Sequence, residues 1–147
     1  MVVPVVTTDK IGRESMGAWG YKSFENDDAL DWVYELEGSD NLASIEAALD
    51  EAGAEYIEAP EACNILAAAE LVVALLGKPR LELPADVSEW LSNNKSLDAS
   101  YLKVKTVNAV QAVLSEQSEL NELWQDSEEY QAWRDDVEAL RAAVEKG

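Results

Sequence analysis

Histidine is absent from the 147 residues, and cysteine occurs once, at Cys63. The first absence removes the commonest metal ligand and the commonest general base. The second excludes an internal disulfide. Without histidine, a Zn²⁺ or mononuclear-iron site is disfavoured. No Gly-x-x-x-x-Gly-Lys or Gly-x-Gly-x-x-Gly run occurs, and Gly17-x-x-Gly20 has no strand before it to give it meaning. No Gly-x-Ser-x-Gly elbow is present. The chain also lacks a fixed-period repeat and any low-complexity tract. Met1-Val-Val-Pro-Val-Val has no basic residue and too short an apolar run for a secretory signal.

Positive charge is the other scarcity. Eleven basic residues face 30 acidic ones, for a net charge of −19, and no Lys or Arg lies between Lys22 and Lys78. Fourteen acids fall in that interval, from Glu25 to Glu70. The remainder is mixed, with Lys78, Arg80, Lys95, Lys103, Lys105, Arg134, Arg141 and Lys146 among its bases. Such a field repels phosphate backbones, so direct nucleic-acid binding is not expected. A basic protein partner is permitted; the plainer account is solubility, since charge runs are usually solvated faces.

What is present suits one soluble globular domain: 48% hydrophobic and 28% charged residues. A chain of this length buries roughly 68–70% of its unfolded surface. The most apolar segment, Ala59 to Leu76, carries Glu61, Asn64 and Glu70, which argues against a membrane span. The expected location is the cytoplasm, as a monomer or a homodimer.

Residues 1–15 read as an extended N-terminal arm, because Val2-Val-Pro-Val-Val-Thr-Thr8 is β-branched and interrupted by proline. Residues 16–147 read as a single helical domain. Asn26 suits an N-cap, with Asp27 and Asp28 in the first turn of a helix that stops at Gly38. Ser39 or Asp40 is expected to cap a second helix with Leu42, Ile45, Leu49 and Ala52 on its apolar side. Pro60 opens a third that runs to Gly77, apolar almost all round and therefore central. Pro84 starts a short helix ending at Asn93-Asn94. Asp98 caps another, with Tyr101, Val104, Val107, Val110 and Leu114 as its inner face. Glu119 to Trp124 is a short helix or the end of that one. Ser127 caps the last, whose seam is Tyr130, Trp133, Val137, Leu140 and Val144. The fold class is all-α: a compact bundle of six or seven helices behind a non-helical arm.

Few constellations suggest chemistry. Asp28, Asp31 and Glu35, at i, i+3 and i+7, share one helical face. With Glu58 and Glu61 they can in principle hold Mg²⁺; a solvated acidic face is the simpler reading, and no cofactor is expected. Glu70 faces Cys63, Leu66, Ala67, Val73 and Ala74 on an ideal helix. It should be a buried acid with a raised pKa unless Lys103, Lys105, Tyr101 or a Trp N–H partners it. Glu61 lies half a turn away and cannot share its site. Cys63 sits near a helix N-terminus, which favours a thiolate, yet its apolar neighbours favour an inert thiol. Trp19, Tyr21, Phe24 and Trp32 are either a recognition surface or, preferably, a hydrophobic plug under the first helix.

One stretch carries a resemblance. Met16-Gly-Ala-Trp-Gly20, then Phe24-Glu-Asn-Asp-Asp-Ala-Leu-Asp-Trp32, resembles the opening of a mainly bacterial family, domain of unknown function 4259. Tyr56 to Glu70, Ser118 to Trp124 and Tyr130-Gln-Ala-Trp133 extend the likeness over about residues 16 to 145. The resemblance implies one unit and no particular reaction. From the residues, the leading expectation is a non-enzymatic acidic protein that works through protein–protein contacts with a basic partner. The competing class is a Mg²⁺-dependent hydrolase of a phosphorylated small molecule, built on Asp28, Asp31 and Glu61.

Overall fold

The computed structural model describes residues 20–147. The N-terminal arm and Trp19 lie outside the described residues. Seven α-helices follow: α1 (Asp27–Glu37), α2 (Ala43–Asp50), α3 (Ala59–Leu76), α4 (Ala85–Asn93), α5 (Lys103–Val113), α6 (Glu119–Gln125) and α7 (Tyr130–Lys146). Among the described residues there is no strand, only one bridge pairing Ile57 with Ser118. The all-α expectation holds.

α3 is the axis of the molecule and packs against each of the other six helices. Twelve of its 18 residues are buried, four of them in the run Ala67-Ala68-Ala69-Glu70. Small side chains let neighbouring helices approach on every side, which explains the lack of a polar stripe. By length and composition α3 is apolar enough to cross a membrane, with mean hydropathy 1.6, but 67% of it is buried inside the bundle. The other helices bury one face each. On α7 that face is Trp133, Val137, Leu140 and Val144, as their spacing predicts. Trp133 stacks on Trp124 of α6 at 6.2 Å.

Helix starts show where local chemistry suffices and where it does not. The Asn26 side chain accepts from the Ala29 amide at 2.8 Å, the cap its position suggests. α2 begins at Ala43, later than Ser39 or Asp40 would have it. Asn41 Oδ1 accepts from the Ala43 amide and Ser39 Oγ from the Asn41 amide, so these residues form a turn. α3 has no side-chain cap of its own. Glu119 Oε1, from α6, accepts from the Ala59 amide at 2.7 Å and puts a carboxylate at the positive end of the helix.

α5 departs most from expectation. Tyr101 and Val104, placed on its inner face by spacing, are 62% and 71% exposed. Val110 and Leu114 are buried and Val107 packs against the core, as the spacing predicts, while Leu102, Thr106, Ala109 and Val113 take the inward places of Tyr101 and Val104. Asp98 Oδ1 does accept from the Ser100 amide, but it opens a 3-10 turn over Ser100–Leu102 before the α-helix begins. Three residues per turn rather than 3.6 rotate the following face. Burying Thr106 is tolerable because its hydroxyl donates to the Leu102 carbonyl at 2.7 Å.

Candidate functional site

The two acids of α3 that spacing keeps apart end in opposite environments. Glu61 stands in the first turn, where a carboxylate is favoured by the helix dipole. Together with Asn64, one turn on, it forms one wall of a cleft of about 290 Å³ between α1, α2 and α3. Trp32 and Glu35 of α1 form a second wall, again one turn apart, and Ala47 and Glu51 a third. No Lys or Arg lines it. Glu61 Oε1 and Asn64 Oδ1 are buried and make no hydrogen bond.

The acidic set is only partly assembled by the fold. Glu35 and Glu61 reach the same cleft. Asp28 is half-buried, and its carboxyl is pushed up by burial first, then by repulsion from Asp31, Asp27 and Glu61. Asp31 is exposed and does not line the cleft. Glu58 faces a neighbouring depression that also touches Glu61. Among the described residues, no three or more His, Cys, Asp or Glu side chains are grouped so that they can hold a metal ion. Phe24 is buried in the core, 7% exposed, beneath the start of α1.

Glu70 is 1% exposed and sits in a closed ionic knot. Ser23 Oγ donates to its Oε2 at 2.6 Å. Arg80 donates through Nε to Oε1 at 3.1 Å and through Nη2 to Oε2 at 2.6 Å. The same guanidinium donates to both oxygens of Asp136, each at 3.1 Å. Lys22 Nζ approaches Asp136 Oδ1 at 3.8 Å. Burial pushes the Glu70 carboxyl up; Arg80 and Ser23 pull it down and only partly compensate. Arg80 itself is held charged, its hydrogen bonds to Asp136 and Glu70 outweighing burial.

These partners are not those the sequence suggested. Lys105 pairs with Asp50 and Tyr101 donates to Glu46, both acids of α2, because the rotated start of α5 sends them outward. Arg80, Ser23 and Asp136 went unrecognised. One signal was available: a helix that stops at Gly77-Lys-Pro reverses direction, so residue 80 returns alongside the turn that carries Glu70. Cys63 is buried at 2% exposure, and burial, with Asp28 and Glu61 adding, drives its thiol far above the ordinary value. Its position near the helix N-terminus does not make it a nucleophile.

Chemically, the knot is self-satisfied and closed, with two cations facing two carboxylates. The cleft is the converse: open, anionic and short of donors. It suits a cation.

Comparison with known proteins yields one family. Residues 17–136, well over half of the chain, match the family described as Domain of unknown function (DUF4259). No curated protein and no solved structure matches the chain.

Proposed function

We propose a binding role for this chain, which belongs to the DUF4259 family: it engages a basic protein partner through its acidic half and catalyses no reaction. The observation that supports this reading most is the cleft between α1, α2 and α3, which Glu35, Glu51 and Glu61 line with no basic residue beside them. All three come from the interval between Lys22 and Lys78 that holds no base. Electrostatic steering by such a face speeds encounter with a positive surface more than it deepens affinity.

The test is the salt dependence of a purified complex. A partner recovered from the source cell should bind with a Kd that rises about tenfold or more between low and physiological ionic strength, chiefly through kon. Binding insensitive to salt would remove the acidic half from the interaction.

The Mg²⁺-dependent hydrolase draws on one observation, the raised carboxyl of Asp28, pushed up by burial and then by the charges of Asp31, Asp27 and Glu61. A cation seated there would lower it. Thermal melts with Mg²⁺ should then show a gain that Asp31→Ala abolishes. We expect equal gains in both proteins, the signature of general charge screening.

A further inference from the structure

We propose that the cleft between α1, α2 and α3 is a socket for one arginine side chain of the basic partner. This rests on the binding role above and assigns it to one place in the fold.

Three features select this occupant. The first is charge: carboxylates of Glu35, Glu51 and Glu61 approach from α1, from the turn after α2 and from α3, and no lining residue is basic. An anionic ligand such as a phosphate is repelled by such a lining, whereas a cation is attracted to it. The second is an excess of acceptors. Glu61 Oε1 and Asn64 Oδ1 have no donor although both are buried. Buried acceptors normally find partners, so two unpartnered ones on the same wall mark a place where an incoming donor is favourable. The third is shape. A cleft of about 290 Å³ is larger than an ammonium head requires, and the exposed Ala43 and Ala47 on its wall offer apolar surface for a methylene stem.

Arginine meets these conditions better than lysine. Its planar guanidinium carries five donors that point in several directions, so it can serve acceptors on two walls at once. It is also less strongly hydrated than an ammonium and stacks on aromatic faces. In the bound state the guanidinium lies between Glu35 and Glu61, and small rotations of the Glu61 carboxylate and the Asn64 amide present their unpartnered oxygens to it.

The experiment titrates the ¹⁵N-labelled protein at low salt with three capped tripeptides that differ only in the central residue: arginine, lysine or citrulline. Millimolar arginine peptide should shift the Trp32 indole N–H and the Asn64 side-chain amide saturably. Citrulline, which keeps the shape and loses the charge, should bind about tenfold more weakly or worse. Glu61→Gln should weaken the arginine peptide by about the same factor. Glu35→Gln, at an exposed position that leaves the fold intact, is the second variant and should weaken it severalfold. If arginine and lysine peptides give equal shifts, spread over the exposed acids and unchanged in both variants, the socket is wrong while the acidic-half reading stands. If none of the peptides shifts any resonance, both are wrong.

Discussion

Glu61 and Glu70 stand nine residues apart on one helix and have opposite fates. Glu70 is sealed from water, takes three hydrogen bonds from Ser23 and Arg80, and shares its guanidinium with Asp136. Glu61 meets other acids, keeps one oxygen unpartnered and opens on a cleft. The difference follows from where basic residues lie along the chain. The end of α3 that carries Glu70 is followed immediately by Arg80, the second base after the gap. The end that carries Glu61 packs against α1 and α2, which contain none. A buried carboxylate with a partner within the chain becomes structure; one without remains available to something outside.

The strongest way to break this contrast is to make Glu70 resemble Glu61. Arg80→Met leaves the 1%-exposed Glu70 without a countercharge. It should cost about 3–5 kcal/mol of stability at neutral pH, because an uncompensated buried charge remains. Urea denaturation measures it, and a loss below about 1 kcal/mol would mean the knot is not structural. The loss should shrink on acidification. A carboxyl whose folded pKa is raised binds its proton more tightly in the folded state, so stability falls as pH rises from the ordinary value of 4.5 through the folded value. The native protein should carry a weaker slope of the same sign, which Glu70→Gln removes.

A smaller perturbation sharpens the same point. Ser23→Ala deletes one of the three hydrogen bonds on Glu70 and leaves Arg80 in place. The expected cost is about 1–2 kcal/mol, with the pH slope steepened, since a donor to the ionised form is lost. An unchanged slope would mean that the hydroxyl does not sense the charge of Glu70.

At the other end of α3, Glu61→Gln should change stability by less than about 0.5 kcal/mol, as no partner is lost. Its clearer effect is on a neighbour. Asp28 should titrate closer to its ordinary value once the Glu61 charge is gone, a change visible by carboxyl-detected NMR. An unmoved Asp28 would show that burial and Asp31 account for its shift without Glu61.

Much of the fold was legible because it is local. The Asn26 cap, the stop at Gly38, the run from Pro60 to Gly77 and the Trp133–Val144 seam each depend on residues within a turn or two. The face of α5 holds at Val107, Val110 and Leu114 but not at Tyr101 and Val104, where a 3-10 turn intervenes, and Thr106 and Ala109, weakly apolar by type, are buried as well. The acidic site was half legible: Glu35 and Glu61 do line one cleft, while Asp31, on the same helical stripe, is exposed and does not line it. The partners of Glu70 were out of reach of any periodicity, since Ser23 lies 47 positions away and Asp136 meets Arg80 across 56.

Periodicity, caps and the uneven distribution of charge determine by themselves that this chain is an all-α bundle around α3, with one anionic half. They do so because helix formation and amphipathic burial are governed by neighbours at three and four residues. Which carboxylate is neutralised and which stays open was decided only by tertiary packing. Ion pairing depends on distances of a few ångströms between side chains remote in sequence, and only the folded arrangement of α3, the Arg80 turn and α7 sets those distances.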